Sequence, residues 1–153
     1  MIHMKKVLYT AEATVTGGRA GGHGRTSDGR LEVDLDMPVE LQGTGGPGTN
    51  PEQLFAVGFG ACFQSALLGA AAARKLDVAS SRIRCRASIG MAGEGGGFAL
   101  AVALDLDAPH LSPEDAAMLM TRAHERCPYS RATRGNIEVT LTANGAPLAA
   151  AAA

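Results

Sequence analysis

The stretch that decides the fold lies between Asn50 and Ala73 and reads NPEQLFAVGFGACFQSALLGAAAA. Asn50 is a favourable N-cap, Pro51 suits the first helical position, and Gln53 can close a capping box. The residues after this opening turn carry no charge, so the stretch predicts one long apolar helix that begins at Pro51. Small side chains recur along one of its faces at spacings of three and four, where another backbone could approach closely. They are Gly58, Cys62, Ser65, Ala66, Gly69 and Ala73.

The same stretch is about long enough to cross a lipid bilayer. Ala and Gly make up ten of its 24 residues, however, and Gln64 and Ser65 interrupt it, so it lacks the Leu and Ile content that drives membrane insertion. A helix that is apolar on all sides is more often the buried centre of a globular fold. We therefore predict no membrane span. We expect a homodimer in which a second copy covers the part of the helix that small sheets leave open.

Alternating apolar residues on both sides of this helix predict strands. The alternation runs through residues 7–15 and 31–35, around a glycine-rich turn, and predicts one hairpin. It recurs in residues 83–89 and 98–106, which predict a second hairpin, and residues 137–141 predict a last strand.

A second helix is predicted between Ser112, as N-cap, and Pro128, which stops it. Pro113 takes the first helical position, and acidic residues follow it. One stripe of this helix is expected to face inward, and its members are Ala116, Met120, Ala123 and Cys127. The order of elements predicts an α+β fold, with mostly antiparallel sheets packed around two main helices.

Length, charge and cysteine content restrict the class of protein. The 153 residues suit one domain, at residues 1–148, and a tail at residues 149–153 that has nothing to bury and is expected to be disordered. The net charge is −1 and no stripe of Lys or Arg is present, which argues against nucleic acid as a partner. The start of the chain lacks the apolar segment of a secretory signal. We therefore expect a cytoplasmic protein whose three cysteines are not a disulfide framework.

Cys62 and Cys127 are the candidate reactive thiols. Burial in an apolar helix raises the pKa of a thiol, so Cys62 needs a cationic neighbour to react as a thiolate. Arg19 lies in a glycine-rich turn that could carry its guanidinium over the helix, and Glu52 could hold that guanidinium bidentately. A thiolate beside a guanidinium suits attack on a peroxide, which leaves a sulfenic acid on Cys62. Cys127 could convert this sulfenic acid to a disulfide.

Simpler interpretations compete with this one. A cysteine in an apolar helix is often only a small buried hydrophobe, and Cys85, in the inward phase of its strand, is assigned to core packing. His124 and Cys127 could supply zinc ligands together with Cys62, although no fourth ligand accompanies them in the sequence. The arginine could be a solvated turn residue, and the glutamate could merely complement the helix dipole.

Four motifs occur in order along the chain. They are Gly17-Gly18-Arg19, TNPEQLFA at residues 49–56, Ala61-Cys62-Phe63, and CPYSRATRGN at residues 127–136. This series closely resembles the organic hydroperoxide resistance proteins, a branch of the OsmC-like family, and the resemblance covers nearly the whole chain. Two positions depart from the usual pattern of that branch. Ala20 stands where Asp is usual, and Arg131 stands where Asn is usual.

The resemblance implies a cytoplasmic thiol peroxidase with an OsmC-like α+β fold, built as an intertwined homodimer with its sites at the subunit interface. Such proteins reduce organic and fatty-acid hydroperoxides to alcohols. By position, Cys62 matches the peroxidatic cysteine, Cys127 the resolving cysteine, and Arg19 and Glu52 the pair that activates the thiolate. The resemblance also implies a dihydrolipoyl-bearing protein or another dithiol as reductant, and no metal, flavin or haem cofactor.

An organic hydroperoxide would need an apolar lining for its alkyl tail. Phe and Met side chains could supply it and would favour such a substrate over hydrogen peroxide. The candidates are Phe55, Phe63, Met91, Phe98, Met118 and Met120. Two alternatives stay open: a general OsmC-type peroxidase without this preference, and a redox sensor or binding module in which Cys62 oxidises without turning over.

Overall fold

The structure, a computed structural model, describes residues 3–93 and 95–148. The chain divides into two compact units, an N-terminal unit, Met1–Pro51, and a C-terminal unit, Glu52–Ala153. The single domain expected at residues 1–148 stays a prediction. The tail expected at residues 149–153 lies outside the described residues.

The N-terminal unit contains a three-stranded antiparallel sheet. Its strands are β1 (Ala13–Thr16), β2 (Gly22–Thr26) and β3 (Glu32–Leu35), in that order across the sheet, and a 3-10 turn follows at Val39–Leu41. The predicted hairpin between residues 7–15 and 31–35 is wrong, because β2 lies between β1 and β3 and pairs with both.

Glycines allow the tight turn between β1 and β2. Gly17 and Gly18 have φ angles of +72° and +66°, values that favour residues without a Cβ. A Cβ at Gly22 would overlap the carbonyl oxygen of Gly18, so the first residue of β2 also has to be glycine. Arg19 therefore lies in a turn whose backbone conformation depends on the neighbouring glycines.

The C-terminal unit holds a four-stranded sheet and most of the helical residues. Its sheet has the order β4-β5-β6-β7. After α1 (Pro51–Arg74), the elements are β4 (Arg82–Met91), β5 (Phe98–Asp107), α2 (Pro113–Arg126), α3 (Pro128–Thr133), β6 (Glu138–Ala143) and β7 (Ala146–Pro147). The predicted hairpin of β4 and β5 is confirmed, as is the mostly antiparallel α+β architecture. The exception is the parallel pair of β5 and β6, which α2 and α3 connect as a helical crossover.

The inward face of α1 is not the face of small residues. Its buried residues are Phe59, Phe63, Leu67, Ala70 and Ala71. Of the small-residue face, Ser65, Gly69 and Ala73 are exposed in the single chain, so nothing within the chain covers this part of the face. The side with Phe59, Phe63 and Leu67 faces inward because these large side chains bury more apolar area in the core than the small residues would.

By length and composition α1 could cross a membrane, since its most apolar window has a mean hydropathy of 1.7. Only 28% of that window is buried inside the chain. The core helix of a soluble protein meets the same criteria of length and composition. In this chain, Phe59, Phe63 and Leu67 are fully buried in the core of the C-terminal unit.

The predicted start of α2 is confirmed. Ser112 precedes Pro113, and its hydroxyl accepts a hydrogen bond of 3.1 Å from the backbone N–H of Asp115. The predicted stripe is also confirmed, since Ala116, Met120, Ala123 and Cys127 are at most 1% exposed. Pro128 ends α2 as expected, but it also begins α3, because the first helical position needs no N–H donor.

Candidate active site

The sulfur atoms of Cys62 and Cys127 lie 3.2 Å apart, although the two residues are 65 positions apart in the chain. Cys62 is in the middle of α1 and is partly buried, and Cys127 is fully buried between α2 and α3. Both thiols are free. A disulfide bond is about 2.05 Å long, so a displacement of roughly 1 Å would join the two sulfur atoms.

Backbone hydrogen bonds hold Cys127 at this point. Its N–H donates to the carbonyl of Ala123 over 2.8 Å, and its own carbonyl accepts from the N–H of Arg131 over 3.0 Å. Cys127 is thus the last residue tied to α2 and the first tied to α3. Its extended backbone, with φ of −61° and ψ of 124°, joins the two helices.

Burial raises the pKa of the Cys62 thiol above its ordinary value. A hydrogen bond from the backbone of Tyr129 acts in the opposite direction and lowers this pKa, while the neighbouring thiol of Cys127 raises it again. The balance favours the neutral thiol. These neighbours alone therefore do not produce the thiolate that reactivity requires.

Three aromatic rings form a cluster. Phe55 and Phe59 lie two turns and one turn before Cys62 on α1, and Tyr129 lies on α3. The rings of Phe55 and Phe59 have their centroids 5.7 Å apart, and Tyr129 stacks on Phe55 at 6.2 Å and tilts against Phe59 at 5.7 Å. Gly58 makes room for the tyrosine, since a Cβ there would lie 3.3 Å from the phenol oxygen. Sequence reasoning did not single out Phe59 or Tyr129. The signals were the i−3 spacing from Cys62 and the position directly after Cys127-Pro128.

Arg19 and Glu52, the predicted activating pair, lie in separate units. Arg19 is half-buried in the turn between β1 and β2, and Glu52 is half-buried in the first turn of α1. Their roles beside Cys62 stay predictions.

The six predicted lining residues occupy different environments. Phe63 and Met120 are fully buried in the core, and Met118 is partly buried against it. Met91 and Phe98 are opposite each other on β4 and β5 and are 76% and 69% exposed. Phe55 belongs to the aromatic cluster described above. The assignment of these residues to a substrate pocket stays a prediction.

Cys85 lies on β4, half-buried against the core, as its strand phase predicted. Burial raises the pKa of its thiol, which suits a packing role. Among the described residues, no group of three or more His, Cys, Asp or Glu side chains could hold a metal ion.

Two buried polar atoms flank Cys127. From the sequence, His124 was considered only as a possible zinc ligand, and Ser130 only as part of the motif at residues 127–136. In the described part of the chain, the buried side-chain N and O atoms without a hydrogen-bond partner are Nδ1 of His124 and Oγ of Ser130. Such an atom costs about 1–3 kcal/mol of stability. His124 is 6% exposed and lies three residues before Cys127, and its carbonyl accepts a 2.7 Å hydrogen bond from Nη2 of Arg134.

Known proteins are similar to this chain in both sequence and fold. Residues 43–142 match the family model described as OsmC-like protein. The chain is 47% identical to an organic hydroperoxide resistance protein of Xanthomonas axonopodis pv. citri, over 93% of this chain and 99% of that protein. It is 44% identical to the organic hydroperoxide resistance protein OhrB of Bacillus subtilis, over 88% and 96% of the two chains.

Solved structures of similar proteins have the same fold as this chain. A Vibrio cholerae protein described as an organic hydroperoxide resistance protein, solved with captopril bound in one of the active sites, matches with a TM-score of 0.86 and 44% identity. That match covers 94% of this chain and 97% of the other. The crystal structure of OhrB from Bacillus subtilis matches with a TM-score of 0.81 and 42% identity, over 90% and 99% of the two chains. The chain belongs to the OsmC-like protein family and, within it, to the organic hydroperoxide resistance proteins.

Proposed function

We propose that this protein is a cysteine-based peroxidase that reduces organic hydroperoxides to alcohols. The observation that carries the proposal is the 3.2 Å separation of the sulfur atoms of Cys62 and Cys127. At this distance a peroxide can oxidise one free thiol to a sulfenic acid, and the sulfenic acid can then oxidise the other thiol to form a disulfide and water. The names of the relatives at 44–47% identity support hydroperoxides as the oxidant.

In the first step, the Cys62 thiolate attacks the terminal oxygen of the hydroperoxide. The oxygen–oxygen bond breaks, the alcohol leaves after protonation, and Cys62 becomes a sulfenic acid. Because burial raises the pKa of Cys62, a cation has to stabilise both the thiolate and the charge that develops on the departing oxygen. Arg19, held by Glu52, is the group that we propose for this task.

In the second step, the Cys127 thiol condenses with the Cys62 sulfenic acid to form a disulfide and water. A buried resolving thiol beside the sulfenic acid protects it from a second peroxide, which would otherwise give sulfinic acid. A dithiol then reduces the disulfide by thiol exchange. We propose a dihydrolipoyl-bearing protein as this dithiol, a cytoplasmic location, and a reaction that needs no metal, flavin or haem.

The aromatic cluster beside Cys62 supports an organic substrate. Phe55 and Tyr129, which pack on the fully buried Phe59, offer an apolar surface within two turns of Cys62, on which an alkyl or aryl group can be desolvated. Hydrogen peroxide has no apolar group to bury there. The reaction should therefore be much faster with a bulky organic hydroperoxide than with hydrogen peroxide.

Peptide mapping by mass spectrometry tests this function directly. After one equivalent of an organic hydroperoxide, without reductant, we expect a Cys62–Cys127 disulfide and one equivalent of alcohol. Under steady-state conditions with dihydrolipoamide, turnover should continue, whereas a redox sensor would be modified once and stop. Equal rates with organic hydroperoxide and hydrogen peroxide would point to a general OsmC-type peroxidase instead.

A further inference from the structure

A buried imidazole lies one helical turn before Cys127. His124 and Cys127 are three residues apart, at the end of α2, and both are buried. Side chains at this spacing share a helix face. Nδ1 of His124 has no hydrogen-bond partner, so its lone pair or proton is available to the interior of the protein. A buried ring nitrogen usually finds a partner, so this unpartnered nitrogen, on the residue one helical turn before Cys127, is a candidate for a role in the reaction.

The surroundings of His124 keep its imidazole neutral. Burial lowers its pKa below the ordinary value, and the Arg134 guanidinium lowers it further, while Glu125 on α2 acts weakly in the opposite direction. α2 packs against β6 and α3. The titratable side chains on those elements are all exposed, and they are Tyr129, Arg131 and Glu138. A neutral imidazole can accept a proton near pH 7, whereas an imidazolium cannot.

This inference rests on the proposed function. We propose that His124 accepts the proton of the Cys127 thiol when Cys127 resolves the Cys62 sulfenic acid. No hydrogen bond joins Nδ1 to the Cys127 sulfur in this structure, so the two groups have to approach each other first. The S–H bond of Cys127 then breaks as its proton moves to Nδ1, in the tautomer that carries its own proton on Nε2. The sulfur electron pair then forms the bond to the Cys62 sulfur, and the S–O bond of the sulfenic acid breaks. The departing hydroxide takes the proton from the imidazolium and leaves as water, which restores neutral His124.

Arg134 fixes the backbone that carries the imidazole. Its Nη2 donates to the carbonyl of His124 over 2.7 Å, which ties the end of α2 to the residue that follows α3. Cys127 lies between these two tied points. Arg134 is thus a positioning residue that fixes the histidine and at the same time disfavours its charged form.

The test compares His124→Gln with Glu125→Gln in a rapid-mixing experiment. One equivalent of an organic hydroperoxide is added, and sulfenic acid and disulfide are trapped and counted over time. In His124→Gln, sulfenic acid should form on Cys62 at the parental rate. Disulfide formation should be about 10²-fold slower, as for loss of a general base. Glu125→Gln alters the neighbouring charge but keeps the imidazole, and it should resolve at the parental rate.

The pH dependence of the parent protein decides the question without any variant, should His124→Gln fail to fold. With a neutral imidazole as acceptor, the rate of disulfide formation should stay level from about pH 8 down to about pH 6.5 and fall only below that. A rate that rises tenfold with each pH unit across this range would overturn the inference, because hydroxide would then take the proton.

The outcomes separate this inference from the proposed function. If the parent forms no sulfenic acid on Cys62, or no disulfide with Cys127, the proposed function itself fails. If the parent forms both and His124→Gln resolves at the parental rate, only the role of His124 is wrong.

Discussion

The three cysteines have distinct environments, and these predict distinct variants. Cys62→Ser should abolish peroxidase activity. Cys127→Ser should allow a single oxidation and then accumulate sulfinic acid on Cys62, because no thiol remains 3.2 Å away to capture the sulfenic acid. Mass spectrometry of Cys62 after several equivalents of hydroperoxide measures this. Cys85→Ser is the matched control, since Cys85 packs against the core and should affect stability alone.

Gly58 allows a test of the aromatic surface beside Cys62. In Gly58→Ala the new Cβ would lie 3.3 Å from the Tyr129 phenol oxygen, so the ring has to shift. We expect the rate of Cys62 oxidation by a bulky hydroperoxide to fall by roughly tenfold, less than the 10²-fold that a 1 Å misplacement can cost. The rate with hydrogen peroxide should change little.

Gly60→Ala is the matched control for this prediction. It adds the same methyl group to the same helix, at an ordinary 3.4 Å from Cβ of Cys85. Its oxidation rates should equal those of the parent, and second-order rate constants for both oxidants measure the comparison. Equal losses in the two variants would mean that the tyrosine ring is irrelevant to the substrate.

His124 and Ser130 mark the limit of sequence reasoning at this scale. The thiol pair was predictable because Cys62 interrupts an apolar helix and Cys127 precedes a proline. Nothing local shows that His124 is buried, because a histidine in a helix followed by Glu125 and Arg126 normally faces water. Its burial depends on packing between α2, α3 and β6, which is tertiary information.

At the scale of elements, local patterns predicted β4, β5 and α2 well. β4 and β5 alternate strictly, and α2 begins at a residue whose hydroxyl caps it. β2 was not predicted because its sequence, GHGRT, has no alternation of apolar residues. Its position in the sheet depends on hydrogen bonds to β1 and β3. The parallel pairing of β5 with β6 also has no local signature, since it depends on a crossover of two helices.

The sheet of the N-terminal unit should be sensitive to pH through His23. Nδ1 of His23 lies 2.8 Å from Asp34 and Nε2 lies 3.2 Å from Glu32, both on β3. Asp34 is the main cause of a raised pKa at His23, and Glu32 adds to it. The cationic form therefore stabilises the folded state. This contribution is full below about pH 6.5, the value for an unfolded chain, and is lost as the pH rises through the folded pKa.

Urea unfolding of the parent and of His23→Gln on both sides of this pH range checks the prediction. The parent should lose stability relative to the variant as the pH rises. His23→Gln should lack this component, because glutamine keeps hydrogen bonding without a titrating charge. A parallel pH dependence in both proteins would assign the effect to other groups.

At the scale of the whole molecule, the exposed side of α1 supports the expected homodimer. Val57 and Leu68 are 73% and 45% exposed, and a Cβ at Gly69 would meet nothing within 4 Å inside the chain. Gly69→Arg should therefore not disturb the chain itself. If a second copy covers this side of α1, the arginine should convert a dimer to a monomer.

Sedimentation at micromolar concentration measures the dimer prediction. Ser80→Arg is the control, because Ser80 is exposed in the connection between α1 and β4 and should leave a dimer intact. A parent protein that sediments as a monomer would remove the dimer. Two variants that both stay dimeric would move the interface away from α1.

The separation of 65 positions between Cys62 and Cys127 has a further consequence. Each catalytic cycle would close a covalent ring of that size and open it again. Such a cross-link restricts the denatured ensemble and should stabilise the disulfide form by about 4 kcal/mol. Calorimetry before and after one equivalent of hydroperoxide should show melting at a higher temperature after oxidation. The oxidised form of the enzyme would then be the more stable one. To restore the active thiols, the reductant would have to break the disulfide that provides this stability.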